Sequence, residues 1–236
     1  GASTYNACQF VPLYTADALI LRTYKLGEAD RIVVFLTRDR GKKRGVAKGA
    51  RRSRSRFAAS LEPLTEARVA YFESERRELV GLNYAESIRS PLSLAMTAAD
   101  ASTLGYVGYF AELIDEWAQE ADADDRLYRL GTSMLDALGS GAPVEPLARY
   151  FEYWLLRLQG VYPEARGSLS ESASAFLLAA RSAAPHQVGD IAVPHGVLRE
   201  LENVHRGLIT MHLEKTLKSD RVLRDLRRQP KASPQA

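Results

Sequence analysis

From Ala18 to Ile88 apolar and polar residues tend to alternate, whereas beyond Pro91 the apolar positions recur about every 3.6 residues. The first pattern is that of strands and the second that of helices. ALILRTYK from Ala18 and RIVVFLTRD from Arg31 are rich in β-branched and aromatic residues, and LGEAD joins them through Gly27. They predict a strand pair. GKKRGVAKG predicts a third strand with Arg44, Val46 and Lys48 on one face and Lys43, Gly45 and Ala47 on the other. A polar loop, Ala50–Ser60, follows. Leu64–Glu73 and Glu78–Ile88 predict two more strands around the charged turn SERRE. Five short antiparallel strands in this space match a small closed barrel of the OB type.

Pro91 marks the change of period and the expected domain boundary. Leu92–Glu120 reads as helical, with Leu104, Val107, Phe110, Ala111, Ile114 and Trp117 on one face. Asp124–Leu138 and Glu145–Gln159 are further helices, separated by the stop signal GSGAP. Ser170–Ser182 is a weak, Ala-rich one. A long helix starts at Pro194, with Val197, Leu201, Val204, Leu208 and Met211 as its apolar stripe. The expected fold class is therefore α+β: an N-terminal extension (1–16), an OB barrel (17–90), a helical domain (91–228) and a disordered tail (229–236).

Charge changes this picture most. Residues 38–56, RDRGKKRGVAKGARRSRSR, hold ten cations against the single acid Asp39. Such a run repels itself unless a polyanion lies against it, and phosphate chains are the commonest such partner. Gly41, Gly45 and Gly49 recur every fourth position and let a ligand approach the backbone. The net charge of +3 conceals the asymmetry: residues 1–90 carry 17 Lys/Arg and 10 Asp/Glu, residues 91–200 carry 7 and 15, and residues 201–236 carry 8 and 4. The basic character is local. Expected phosphate contacts are Lys25, Arg38, Arg40, Lys42, Lys43, Arg44, Lys48, Arg51, Arg52, Arg54 and Arg56. Tyr24, Phe35 and Phe57 are candidate stacking residues, with Phe57 favoured because it sits in the basic loop.

Other chemistry finds little support. The sequence shows no phosphate-binding loop, nucleophile elbow or paired metal motif, so neither an enzyme nor a metal or other cofactor is expected. His205 and His212 share a helix face without a carboxylate at ligand spacing and read as semi-buried histidines. One cysteine, Cys8, allows no internal disulfide. With no bilayer-length apolar run and no basic–hydrophobic leader, a cytoplasmic, nucleoid-associated location is expected.

ALILRTYKLGEADRIVVFLTRDRGKKRGVAKGARR resembles the start of the bacterial RecO family: an aliphatic strand, a G-E-x-D loop, a Thr-containing strand, a Gly-Lys turn and an A-K-G-A-R-R run. FEYWLLRLQGVYPE resembles its central helix with a Gly–Tyr–Pro exit, and LEKTLKSDRVLRDL its Lys-Ser segment. The resemblance runs from Ala18 to Leu226. It implies a recombination mediator that binds single- and double-stranded DNA, anneals complementary strands, associates with RecR and engages the acidic C-terminal tail of single-strand-binding protein. Many members follow the Gly–Tyr–Pro exit with two cysteine pairs that hold zinc. Here that region reads EARGSLSESASAFLLAARSAAP, so the resemblance is to zinc-free members. The tail peptide needs an apolar slot flanked by cations, for which Arg126, Arg129, Arg149 and Arg157, or Lys215, Lys218 and Arg221, are the candidates. An RNA-binding OB protein in translation or RNA handling is the alternative.

Overall fold

A computed structural model describes residues 11–92, 101–163 and 169–228. The first ten residues of the expected extension, the start of the helical region after Leu92 and the polar tail lie outside those residues. Five strands, β1 (Leu13–Leu26), β2 (Asp30–Thr37), β3 (Gly41–Ala47), β4 (Glu66–Phe72) and β5 (Val80–Arg89), close into a barrel of order β1-β2-β3-β5-β4. All neighbours are antiparallel except β3 and β5, where Gly45, Val46 and Ala47 pair in parallel with Val80, Gly81 and Leu82. This is the OB arrangement. β1 starts at Leu13 rather than at Ala18, because Leu13–Leu19 pairs with β4 while Ala18–Leu26 pairs with β2. A shift of register between Ile20 and Arg22 lets one strand serve both neighbours by bending it.

The apolar run VVFL explains how the barrel is used. Val33 and Phe35 point inward, with Ile20, Ala47, Val69, Tyr71 and Leu82. Val34 and Leu36 point outward, with Leu19 and Leu21, into a second core built from helices. Strands that are buried on both faces read as continuous apolar stretches rather than alternation. The helices are α1 (Ala101–Trp117), α2 (Asp125–Gly139), α3 (Val144–Leu158), α4 (Glu171–Ser182), α5 (His195–Leu213) and α6 (Lys218–Arg228). Barrel and helices thus share one hydrophobic core. Their approach is close: a Cβ on Gly131 of α2 would collide with Leu19 and Ile114. Gly41, at φ +70°, would collide with the backbone of Asp122, where the chain from Gln119 to Ala121 bonds to Lys42 of β3.

Two helical faces differ from the expected ones. Leu104 is exposed, while Tyr106, Tyr109 and Leu113 join the buried side of α1. On α5 the buried residues are Val197, Leu198, Leu201, His205 and Ile209, and Met211 stands 70% exposed. His205 turns inward because its partners are there. Its Nδ1 donates to Glu152 Oε2 at 2.9 Å, and its Nε2 lies 3.3 Å from the Tyr162 hydroxyl. Glu152 also accepts from the Tyr109 hydroxyl at 2.7 Å and pairs with Arg149 at 2.9 Å. Arg149 reaches Glu202 at 3.4 Å, and Arg227 of α6 donates to Glu202 and Tyr106 at 2.7 Å each. α6 is fastened at its other end too, where Glu112 accepts from the Lys218 and Ser219 amides at 2.9 and 2.8 Å. Burial and the adjacent Glu152 push the Tyr109 hydroxyl well above the usual tyrosine range. Burial likewise raises Asp220. For Glu202 burial acts upward, but hydrogen bonding from Arg227 and the charges of Arg149, Arg227 and Arg206 outweigh it and lower the carboxyl below its usual range.

Candidate nucleic-acid interface

The cationic run divides into two halves when it folds. In the first, each charge meets a carboxylate of the same chain. Arg38 pairs with Asp125 at 3.1 Å, Lys43 with Glu73 at 2.6 Å, and Arg44 with Glu120 at 3.0 Å and with Glu78. Lys42, only 16% exposed at its side chain, donates to the Asp115 carbonyl at 2.7 Å and lies 3.3 Å from its carboxylate. Arg40 lies 3.7 Å from Asp39 and over the Tyr14 ring. Lys42 and Arg44, expected to face a polyanion, instead tie the barrel to the helices. Their partners come from a segment more than 70 residues away in sequence, which is why the run looks uncompensated in one dimension.

The second half is different. Lys48, Arg51, Arg52, Arg54 and Arg56 are exposed, and among the described residues no carboxylate lies within ion-pair distance of them. Their loop is nevertheless fixed. Asp30 Oδ1 accepts from the Gly49 amide at 2.7 Å, the Ala29 carbonyl from the Arg51 amide at 2.9 Å, and the Gly27 carbonyl from the Arg51 guanidinium at 2.7 Å. The loop is therefore folded back onto the β1–β2 turn. Its other end is anchored by Phe57, which is fully buried in the barrel core, with the Arg56 guanidinium 5.2 Å from its ring centroid.

That burial corrects the expectation for Phe57. Its polar neighbours made it look exposed, but a loop leaving a barrel needs an apolar residue to seal the interior. Phe35 is equally buried, so neither ring is available to a base. Tyr24 is 40% exposed, at the end of β1 beside Lys25, which is also exposed. Arg76 and Arg77, in the turn between β4 and β5, are two further exposed cations with no ion-pair partner among the described residues. The sequence offered a signal for them in SERRE, read only as a charged turn.

The cations considered for an acidic peptide are scattered. Arg149 is 3% exposed and belongs to the buried network, so it cannot meet a surface ligand. Arg129 pairs with Asp125 at 2.9 Å on α2, Lys215 with Glu116 at 2.5 Å, and Arg157 donates to the Tyr153 hydroxyl at 3.2 Å. Arg126, Lys218 and Arg221 are exposed. An apolar cleft of about 190 Å³, lined by Pro63, Pro91, Leu92, Leu104 and Val107, carries Glu62 and no cation among its lining residues. It does not suit a carboxylate-bearing peptide. Among the described residues no helix is long and apolar enough to cross a membrane, and no cluster of His, Cys, Asp and Glu is arranged to hold a metal ion.

A closed OB-type barrel with an anchored cationic loop, sharing its core with a helical domain, is the class these features define. Two family models match the chain, one described as Recombination protein O N terminal over residues 11–91 and one as Recombination protein O C terminal over residues 98–167. The chain belongs to the RecO family. It is 41% identical over 152 residues to the DNA repair protein RecO of Koribacter versatilis, covering 64% of this chain and 61% of that protein. Similar proteins of the same name occur in Bifidobacterium adolescentis, 42% identical over 133 residues (56% of this chain, 52% of the relative), and in Symbiobacterium thermophilum, 36% over 152 (64% and 58%). The matched region spans at most about three fifths of the length of these relatives.

Proposed function

We propose that this protein binds DNA through the loop from Lys48 to Arg56 and acts as a strand-annealing recombination mediator in DNA repair, together with RecR and single-strand-binding protein. The observation that carries the first part is the contrast within one cationic run, in which the exposed arginines of a fixed loop keep no intramolecular carboxylate. Holding uncompensated like charges together costs free energy that an external polyanion offsets, and phosphates release their condensed counterions when they do so. Such binding is indifferent to sequence. It also supports annealing, because two strands that repel each other can share one cationic surface while their bases pair. The name of the relatives, DNA repair protein RecO, supports the same reading.

The mediator role is one of binding, in the cytoplasm and on the nucleoid, with no chemical step. The helical domain is the proposed platform for protein partners. With Arg149 excluded, an acidic tail peptide is left with Arg126, Arg129 and Arg157, or with Lys215, Lys218 and Arg221. The test is annealing of complementary DNA strands, bare and coated with single-strand-binding protein, with RNA as competitor. The proposal expects annealing on both substrates and weaker competition by RNA. Annealing of bare strands alone removes the mediator role, and RNA that competes better than DNA turns the reading to RNA handling.

A further inference from the structure

The outward face of β1, β2 and β3 is only half covered by helices. Leu19, Leu21, Val34 and Leu36 lie beneath them, but the next row along the strands stays open. Tyr24 stands opposite Ile32, and Ile32 opposite Val46, so three side chains line up across three strands on one face. Their sequence neighbours Val33 and Ala47 point into the barrel core, which fixes the row as outward. Tyr24 is 40% exposed, and Ile32 and Val46 are half-buried. The row continues to Gly81 of β5, which adds no side chain and leaves that end flat.

Charge surrounds this apolar strip unevenly. The Arg22 guanidinium lies 4.8 Å from the Tyr24 ring centroid and is itself held by Asp115 at 2.9 Å, so the ring is braced from one side. Lys48 follows two residues beyond Val46, and the turn to which Arg51 is bonded closes the same end. Arg44, at the other end, is neutralised by Glu78 and Glu120. A phosphate chain on the basic loop is thus led to the Tyr24 end of the strip.

We propose that Tyr24, Ile32 and Val46 form a base-stacking platform for single-stranded nucleic acid, which gives the cationic site a preference for unpaired strands. The proposal rests on the reading of the basic loop as a phosphate site. A duplex hides its base faces in its own stack and offers the loop only phosphates, whereas a single strand can turn a base onto an aromatic and aliphatic surface.

The test measures binding of the full chain, at one salt concentration, to an oligo-dT strand, an abasic strand of the same length and a blunt duplex. Tyr24→Ala lowers affinity for oligo-dT by about 5- to 100-fold and leaves the abasic strand and the duplex within about twofold, while Tyr24→Phe behaves like the parent. An equal loss on all three probes, or none on oligo-dT, overturns the platform. A Tyr24→Trp variant guards against misfolding of the alanine form: its added fluorescence is quenched by oligo-dT but not by the other two. Equal quenching by all three also overturns it. Failure of the loop reading looks different, because Arg52→Ala, Arg54→Ala and Arg56→Ala together then leave all three affinities unchanged, whatever Tyr24 does.

Discussion

Arg149 and Arg54 are the same side chain in opposite circumstances. Arg149 sits 3% exposed among Glu152, Glu202 and two tyrosine rings, whereas Arg54 stands in solvent with no carboxylate at ion-pair distance among the described residues. The difference separates two uses of positive charge. A buried guanidinium needs its counter-charge from the chain itself, because desolvation costs several kcal/mol per ion. An exposed cluster without counter-charge gains little for the fold and remains available to a ligand. Lys42 belongs with Arg149 despite lying within the cationic run, since the same carboxylate, Asp115, holds it and Arg22.

The strongest way to break this comparison on stability is at Glu152. Glu152→Ala removes the acceptor for Arg149, His205 and Tyr109 together, and the account expects a loss of about 3–5 kcal/mol in urea unfolding, since it strands a buried charge. A loss under about 1 kcal/mol would put Arg149 among the solvated cations. Lys42→Met comes next. It leaves the Asp115 carbonyl without its donor, which predicts about 1–3 kcal/mol of destabilisation and no change in the salt dependence of DNA binding. A flatter salt dependence would show that Lys42 meets phosphate after all.

Two acids sharpen the comparison through pH. Glu202 has its carboxyl lowered in the fold, so its contribution is present above the ordinary glutamate range and is lost as pH falls through the lowered value. Asp220 is raised by burial, so its contribution is present below the ordinary aspartate range and is lost as pH rises through the raised value. Unfolding measured from acid to neutral pH checks both signs: Glu202→Gln loses stability mainly at neutral pH, and Asp220→Asn gains there relative to acid. The smallest effect belongs to Arg129→Ala. Its exposed pair with Asp125, one helical turn away, predicts a change of about 0.3–0.5 kcal/mol in the same assay.

Much of the barrel was legible because a strand with one buried face writes its period into the chain. The start of β1 was missed because Leu13 and Thr15 are exposed and Tyr14 is half-buried, so no alternation marks them. The helical domain was legible as helices, but not in which face each one buries. On α5, Val204–Leu208–Met211 and His205–Ile209 both fit helical spacing, and the choice falls to Glu152, which lies 53 residues before His205. The site was half legible for the same reason. Charge density is local and shows in the sequence, but neutralisation by Asp115 and Glu120 is not. Phe57 shows the reverse error, where a local polar context concealed a residue of the core.

The central claim is that the loop arginines, and not the paired cations of β3, meet phosphate. It is tested most directly by the slope of log affinity against log salt for a DNA duplex. Replacing Arg52, Arg54 and Arg56 together by Ala is expected to flatten that slope by about 3 units, at roughly 0.9 per lost contact, with unfolding free energy unchanged within about 1 kcal/mol. An unaltered slope in that variant, with a flattened one in Lys42→Met, would contradict the account.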